Sequence, residues 1–223
     1  MSSLRLLTDF DSTEFECSLE IYNSSFPSSE TRPTEKVVEM LKHDKNYHLF
    51  TGLKDNSVVG ISLLYTFRSL GIGLLDYTAV KPDYQRQAVG RQIFEGTFRK
   101  FASDTCDGMG LVMEVQREDA PKIEEKDIEV RKNRIRFYAK MGAKILEGVN
   151  YFLPPMLSGI EPEEMYLMIK LIEDEIRYLP KEFVLQYIEA IYSTIYQYQD
   201  KDLLLDTISR QCPNKIILSH KVV

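Results

Sequence analysis

The 223-residue sequence has no tryptophan, few cysteines and no long run of basic or of apolar residues. Cys17, Cys106 and Cys212 are odd in number, widely spaced and without a C-x-x-C pair, which argues against a disulfide framework. No stretch approaches the ~20 consecutive apolar residues of a membrane span, and Asp9 and Asp11 precede any signal-peptide core. We therefore expect a cytoplasmic chain with reduced thiols and no membrane partner.

Basic residues are too few and too scattered for a nucleic-acid-binding surface. The chain has 28 Lys and Arg against 34 Asp and Glu, a net charge of -6, so the electrostatic footprint of a nucleic-acid binder is missing. His43, His48 and His220 lack metal-ligand spacing, and we expect no metal site. Hydrophobic residues make up 43% of the chain, enough to bury a core, which excludes disorder.

Residue periodicity predicts a mixed α/β fold. The β-rich runs Tyr47–Leu53 and Val58–Phe67 are separated by Lys-Asp-Asn-Ser, as in an antiparallel hairpin. From Gln85 onward apolar residues recur at three- and four-residue intervals, which indicates a long helix. The length fits one domain with an extension, or one large domain.

The segment beyond residue 172 reads mainly as helix. Tyrosines and aliphatic residues recur at three- and four-residue spacing over Lys181–Gln199, which predicts an amphipathic helix with one broad apolar face. The chain's own domain, a second subunit or a bound substrate could cover that face. We expect packing on the chain's own core and keep the other two as alternatives.

The segment from Leu75 to Arg91 carries the main chemical signal. It reads as a strand, a tight loop and a helix whose first turn has small residues at Ala88 and Gly90. The first amides of a helix have no intrahelical partner and lie at the positive end of the dipole, so they form an anion site that suits a pyrophosphate. The chain lacks both G-x-x-x-x-G-K-[ST] and G-x-G-x-x-G after a strand, which disfavours the common nucleotide-binding motifs.

This segment resembles the signature of the GNAT superfamily of acyl-CoA-dependent N-acyltransferases. Gln85-Arg-Gln-Ala-Val-Gly90 matches the pattern Arg/Gln-x-x-Gly-x-Gly/Ala that opens a long helix after a strand. Ala88 stands where the family usually has its first glycine. We expect Ala88 to be helical, where alanine is harmless, so that Ala88→Gly would slightly destabilise the helix.

A second motif supports the resemblance. Arg134-Ile-Arg-Phe-Tyr138-Ala-Lys-Met-Gly-Ala143 is similar to the family's helix that ends in Phe-Tyr-x-Lys-x-Gly-Phe before a strand. Two positions depart from the family pattern: Ala143 replaces the usual aromatic, and Arg131 stands where an asparagine is often found. The resemblance covers roughly residues 4 to 171.

The resemblance implies both fold and cofactor. It implies a GNAT-like mixed, largely antiparallel central sheet flanked by helices over residues 1–172, with a C-terminal helical extension over residues 173–223 packed on it. It also implies acetyl-CoA as co-substrate, with no metal, the pantetheine arm pairing with strand backbone and the pyrophosphate meeting helix amides. The cofactor-binding residues that it implies are Ala79, Val80, Gln85, Arg86, Gln87, Ala88, Val89, Gly90 and Arg91.

The resemblance also implies the chemistry at the reacting centre. A backbone N–H from Tyr77 to Ala79 would stabilise the oxyanion, and Tyr138 would protonate the thiolate. Asp76, Glu114 or water would take the acceptor's proton, and strand alternation decides which carboxylate faces the cleft. In the loop Phe26-Pro-Ser-Ser-Glu-Thr-Arg-Pro33, the alternatives are contact of Glu30 or Arg32 with substrate and a helix-capping loop with an internal ion pair.

The predicted activity is transfer of acetyl from acetyl-CoA to a primary amine, on a small molecule or a peptide, by direct attack in a ternary complex. Two alternatives stay open. One is a non-catalytic module that binds acyl-CoA, and the other is an interaction protein that uses the tyrosine-rich C-terminal helix. We expect a monomer or a homodimer.

Overall fold

A computed structural model of the chain describes residues 3–26, 31–105, 107–121, 123–155 and 161–220. The chain forms two compact units, Met1–Gly108 and Met109–Val223. Each unit contains an antiparallel sheet with helices beside it. The predicted α/β class with a largely antiparallel sheet flanked by helices is therefore confirmed.

The first unit is built on a four-stranded antiparallel meander in which successive strands pair with one another. Its strands are β1 (Ser3–Leu7), β2 (Tyr47–Lys54), β3 (Ser57–Phe67) and β4 (Ile72–Val80). Its helices are α1 (Thr13–Ser25), α2 (Thr34–His43) and α3 (Val89–Asp104). The hairpin predicted from Tyr47 to Phe67 is thus confirmed as β2 and β3, whereas the long helix begins at Val89 rather than near Gln85.

Helix α3 lies close to the sheet because two paired glycines leave room for it. Gly52 of β2 pairs with Gly60 of β3, and a Cβ built on either would lie 2.6 Å from Cδ1 of the buried Ile93. A Cβ on Gly60 would also lie 2.7 Å from the carbonyl oxygen of Ala79 on β4. Val89, the first residue of α3, is buried beside Ile93. The start of the helix is thereby fixed next to the end of β4.

The opposite face of β4 packs against α1. Tyr77 makes edge-to-face contacts with Tyr22 of α1 at a centroid distance of 4.9 Å and with Phe26 at 5.1 Å. Val80 is three residues further along the strand, so it points to the other face and packs beside the α3 cluster. The end of β4 is therefore held from both sides.

The second unit is built around the long strand β8, which pairs with β5 along one edge and with β6 and then β7 along the other. Its strands are β5 (Gly110–Gln116), β6 (Lys144–Leu146), β7 (Tyr151–Leu153), β8 (Glu163–Leu171), β9 (Tyr178–Pro180) and β10 (Lys215–Ser219). Its helices are α4 (Glu125–Lys140), α5 (Lys181–Ala190) and α6 (Lys201–Gln211). The predicted boundary at residue 172 falls inside this unit, between β8 and β9.

The C-terminal segment is part of this unit's sheet and core. Strand β10 pairs with both β6 and β9. Helix α5 continues into a π-helical turn over Ile191–Ile195, and its apolar face is 0–3% exposed at Val184, Tyr187, Ile188, Ile191, Tyr192 and Ile195. The amphipathic helix is confirmed as far as Ile195, and the chain itself covers its apolar face.

Candidate functional site

The loop between β4 and α3 contains two residues with left-handed backbone. After a short 3-10 turn at Pro82–Tyr84, Arg86 has a φ of 60° and Ala88 a φ of 63°. Ala88 is the N-cap residue of α3, with ψ 4° and no side-chain cap bond. The expectation that Ala88 is helical is therefore wrong. The chain needs a left-handed residue to turn into the helix, and this is the conformation that favours glycine.

This loop lies at the surface and offers the backbone amides at the start of α3. Gln85, Arg86, Gln87 and Ala88 are exposed, whereas Val89 is buried, so the side chain of Val89 serves the core and only its backbone is available to a ligand. The first N–H groups of α3 have no acceptor within the helix, and left-handed residues beside them make an anion-binding concavity. The loop can therefore bind a compact anion such as a diphosphate.

The glutamine side chains of this loop fix its shape. Gln87 Nε2 donates to the carbonyl oxygen of Asp83 at 2.7 Å, and Lys54 Nζ donates to Gln87 Oε1 at 2.8 Å. Gln85 Nε2 donates to the carbonyl oxygen of Val80 at 3.1 Å. The loop is thus tied to the end of β4 before any ligand binds.

Strand β4 carries a bulge where it approaches this loop. Leu63 of β3 pairs with Tyr77, while Leu64 pairs with Leu75, which leaves Asp76 as the extra residue. Beyond the bulge, Ala79 and Val80 pair regularly with β3. Bulges bend a strand and redirect its groups, and they are common beside active sites. The backbone near Tyr77, where we expect the oxyanion to bind, therefore departs from regular sheet geometry.

Asp76 is the carboxylate of a buried ion pair. Its Oδ2 accepts from Arg32 Nη2 and from the Tyr47 hydroxyl, and the side chains of Arg32 and Asp76 are 6% and 2% exposed. Burial, followed by the charge of Asp76, raises the pKa of Tyr47 well above its usual range. The hydroxyl of Tyr47 therefore stays protonated at neutral pH and can donate to Asp76.

Arg32 anchors its loop to β4. Its guanidinium lies 5.1 Å from the centroid of the Tyr77 ring, and its carbonyl oxygen accepts from the Tyr22 hydroxyl at 3.0 Å. The ion pair of this segment therefore joins the loop to Asp76 on β4. Glu30, the other predicted substrate residue, lies outside the described residues. Sequence reasoning missed Tyr22 and Tyr47 because their partners are distant along the chain.

Glu114 lies in the second unit within a group of tyrosines. Its Oε1 accepts from the Tyr151 hydroxyl, and its Oε2 accepts from the Tyr196 hydroxyl at 2.6 Å. Tyr192 lies beside Tyr151, with ring centroids 5.6 Å apart, and donates to the carbonyl oxygen of Phe152 at 2.5 Å. Sequence reasoning assigned Tyr192 to an apolar face and did not connect any of these tyrosines with Glu114.

Tyr138 lies in the last turn of α4. The ring is half-buried and packs edge-on against Phe137 at 5.2 Å. Burial raises the pKa of Tyr138, and the charge of Arg134 opposes this. A tyrosine with a raised pKa keeps its proton at neutral pH, which is the state a general acid needs.

Arg131, which stands where the family often has an asparagine, makes structural contacts. Its Nη1 donates to the carbonyl oxygen of Arg117 at 3.0 Å and lies 3.2 Å from the carboxylate of Glu163. This departure from the family pattern therefore ties α4 to the segment that follows β5.

Two further observations concern metals and membranes. Within the ranges that the structure describes, no three His, Cys, Asp or Glu side chains converge as a metal site would require. None of the helices formed by those residues combines the length and apolar character needed to cross a membrane. Cys17 and Cys212 are free thiols, and Cys106 lies outside the described residues.

Comparisons with known proteins agree with the sequence motifs. The profile of the acetyltransferase (GNAT) family matches residues 16–143. A protein from Bacteroides thetaiotaomicron assigned to the GNAT family is similar in structure, with a TM-score of 0.68, 22% identity, and coverage of 88% of this chain and 99% of that one. No curated protein matches the sequence significantly.

Two structures of enzymes with named acceptors share the fold at lower similarity. An aminoglycoside 6'-N-acetyltransferase complexed with coenzyme A has a TM-score of 0.58 and 15% identity, covering 77% of this chain and 97% of that one. The ribosomal-protein-S18-alanine N-acetyltransferase from Escherichia coli has a TM-score of 0.54 and 19% identity, covering 78% and 95%. The fold is GNAT-like, and because the family profile spans more than half of the sequence, the chain belongs to the GNAT family of acetyltransferases.

Proposed function

We propose that this chain transfers an acetyl group from acetyl-CoA to a primary amine by direct attack of the amine on the thioester. Family membership supports acetyl transfer from acetyl-CoA. The observation that carries the proposal is the loop from Gln85 to Gly90, where left-handed residues and the first amides of α3 follow β4 after a short 3-10 turn. Exposed amides at a helix start bind phosphate groups, and coenzyme A carries a diphosphate.

The end of β4 supplies backbone groups for the rest of the co-substrate. In this proposal the pantetheine arm pairs with backbone at Ala79 and Val80, and a backbone N–H near Tyr77 binds the thioester oxygen. A fixed N–H donor stabilises the negative charge that develops on this oxygen. The contacts of Tyr77 with Tyr22 and Phe26 support this role, because they restrain the strand beside the proposed position of the thioester oxygen.

Glu114 is the better candidate for general base. Protonation of Asp76 would leave the buried guanidinium of Arg32 without its counter-charge, and breaking a buried ion pair costs about 3–5 kcal/mol. Glu114 instead accepts from the hydroxyls of Tyr151 and Tyr196. A hydroxyl both donates and accepts, so these partners can rotate when the carboxylate takes a proton. We therefore assign the acceptor's proton to Glu114 and a structural role to Asp76.

Tyr138 completes the proton transfers. The amine nitrogen, once deprotonated, forms a bond to the carbonyl carbon, the carbon–sulfur bond breaks, and the sulfur leaves with the bonding pair. The hydroxyl of Tyr138 protonates that thiolate. Its raised pKa supports the assignment because the proton is present at neutral pH.

A cationic acceptor fits the charge of the chain. The net charge is -6, and amines are protonated in water at neutral pH, so the overall field favours their approach. The two enzymes of the same fold act on a ribosomal-protein alanine and on an aminoglycoside, so both a peptide and a small molecule remain in the proposal. The free Cys17 and Cys212 thiols are consistent with a reducing compartment such as the cytoplasm.

The alternatives differ in turnover and in exposed surface. A non-catalytic acyl-CoA-binding module would bind acetyl-CoA without releasing thiol. An interaction protein that uses its C-terminal tyrosines would need them exposed, but Tyr187 is 2% exposed and Tyr192 0%. That observation favours the enzyme over the interaction protein.

The test is a thiol-release assay with acetyl-CoA and a panel of primary amines that includes peptide N-termini, lysine side chains and aminoglycosides. We expect amine-dependent release for at least one class, and acetyl-CoA should raise the melting temperature by mass action. Binding without release for any amine would favour the non-catalytic module. Absence of both binding and release would overturn the proposal.

A further inference from the structure

The C-terminal segment of the chain supplies a hydrogen bond to the proposed general base. Tyr196 follows Glu114 by 82 residues and donates to its Oε2 at 2.6 Å. The family profile ends at residue 143, so Tyr196 lies outside the part of the chain that carries the family motifs. Tyr151 donates to the other carboxylate oxygen. Each oxygen of Glu114 therefore has a tyrosine hydroxyl of its own.

A local change in helix type places Tyr196. The backbone N–H of Tyr196 donates to the carbonyl oxygen of Ile191 at 3.3 Å, an i to i+5 bond, at the end of the π-helical turn. Gln197 then takes a left-handed φ of 49°, and Tyr198 N–H bonds back to the carbonyl oxygen of Tyr192 at 3.0 Å. The helix therefore stops at Tyr196. Such π turns are rare in proteins, but those that do occur are often found at functional sites.

Tyr192 restrains Tyr151, the second tyrosine that donates to Glu114. It is buried, lies beside the ring of Tyr151, and donates to the carbonyl oxygen of Phe152. The rings of Tyr151 and Tyr192 are thus held together while the Tyr151 hydroxyl reaches Glu114. Since Tyr192 belongs to the π-helical turn, the same turn positions both donors.

We propose that Tyr196 is a positioning residue that, together with Tyr151, orients the Glu114 carboxylate to receive the proton of the acceptor amine. The proposal rests on the proposed function. A carboxylate that accepts two hydrogen bonds is fixed in its torsions, and a fixed base spends more time in the reactive geometry. Donors to the charged form also stabilise it, so their removal makes the carboxylate easier to protonate.

Tyrosine hydroxyls and an apolar neighbour lie beside this carboxylate. On β8 the residue opposite Glu114 is Leu167, which is apolar and buried. On α4, Arg134 donates to the side chain of Gln116, two residues further along β5. Titratable groups that interact with Glu114 include Tyr151 from β7 and Tyr192 and Tyr196 from the π-helical turn. Helix α4, which contacts β5, carries Arg134 and Tyr138.

The experiment compares Tyr196→Phe with Tyr198→Phe. Tyr198 is a half-buried tyrosine two residues away whose hydroxyl makes no hydrogen bond among the described residues, so it is a matched control. In Tyr196→Phe we expect the acid limb of the kcat/KM profile to move to higher pH by about one unit, as a lost hydrogen bond to a charged group allows. Acetyl-CoA affinity should stay unchanged, and Tyr151→Phe should move the limb in the same direction.

A second readout does not depend on turnover. In protein labelled with carbon-13 at the glutamate side-chain carboxyl, the resonance lost in Glu114→Gln identifies Glu114, and its titration midpoint should rise in Tyr196→Phe but not in Tyr198→Phe. An unchanged midpoint, or a raised midpoint with an unchanged kcat/KM profile, would overturn the positioning role of Tyr196 without affecting the proposed function. Normal acetyl-CoA binding with no wild-type turnover on any amine would instead overturn the proposed function, while the midpoint shift would still report the contact.

Discussion

The guanidinium of Arg32 and the carboxylate of Asp76 form an ion pair with 6% and 2% of their side chains exposed. Asp76 is also the extra residue of the β4 bulge, so the pair connects the loop before α2 to the irregular part of the strand. In the proposed mechanism, this arrangement gives Asp76 a structural role, and Glu114 takes the proton.

Asp76→Asn should therefore destabilise the fold. Removing one member of a buried pair leaves the other charge uncompensated, and we expect the free energy of unfolding to fall by about 3 kcal/mol. Urea denaturation measures the change. As a control, Glu95→Gln breaks the exposed pair between Arg91 and Glu95 and should change stability by at most about 0.5 kcal/mol. A stable Asp76→Asn protein with lost turnover would make Asp76 the base.

Ala88→Gly should raise stability. Ala88 has a φ of 63°, a conformation that costs an L-residue about 1–2 kcal/mol, while glycine costs about 0.5–1 kcal/mol in chain entropy. We expect a net gain of up to about 1.5 kcal/mol in the free energy of unfolding, with acetyl-CoA bound at least as tightly. Ala102→Gly, within the same helix, should instead lower the free energy of unfolding by about 0.5–1 kcal/mol. Equal losses in the two variants would contradict the left-handed turn.

Gly90→Leu should abolish acetyl-CoA binding. Gly90 lies in the first turn of α3, where a branched side chain would occupy the space beside the helix amides. In the wild type, acetyl-CoA at about 100 times its Kd should add about 2.7 kcal/mol of stability, and this gain should vanish in the variant. Gln92→Leu is the control, because Gln92 is exposed and its N–H is already bonded to Ala88. Calorimetric titration of both variants checks the result.

Tyr138→Phe should lower turnover and spare binding. The change keeps the ring that packs on Phe137 and removes the proposed acid, so kcat should fall by about 10- to 1,000-fold while acetyl-CoA affinity changes little. Because burial raises the pKa of Tyr138, wild-type activity should not decline through loss of this proton up to about pH 10. Tyr178→Phe, at an exposed tyrosine, should keep normal kcat. Unaltered turnover in Tyr138→Phe would reassign the residue to packing.

Patterns along the sequence predicted most elements because periodicity reports which face of a strand or helix is buried. The hairpin, β4, α3 and the apolar face of α5 all carry that signal. The start of α3 was placed too early, since the left-handed residues Arg86 and Ala88 end the regular backbone without changing the spacing of apolar residues. The sequence also gave no sign of the π-helical turn after Ala190, because its spacing of apolar residues resembles that of an ordinary helix.

The two motifs from which the candidate site was predicted are local. Gln85 to Gly90 and Arg134 to Ala143 are continuous segments whose residue types point to their roles. The partners of Asp76 and Glu114 are not local: Arg32 precedes Asp76 by 44 residues, and Tyr196 follows Glu114 by 82. Periodicity does not report such distant contacts. The sequence therefore indicated both Asp76 and Glu114 as candidates for the general base but could not decide between them.

Gly60 is neither part of the loop between β4 and α3 nor one of the proposed catalytic residues. Any side chain at this position would nevertheless clash with the carbonyl oxygen of Ala79 and with Ile93 of α3. The end of β4 and the start of α3 would move apart, and the amides that we propose bind the diphosphate would lose their alignment. A mutational survey scored by coenzyme affinity would thus identify Gly60 as if it were a ligand contact, although the ligand would never touch it.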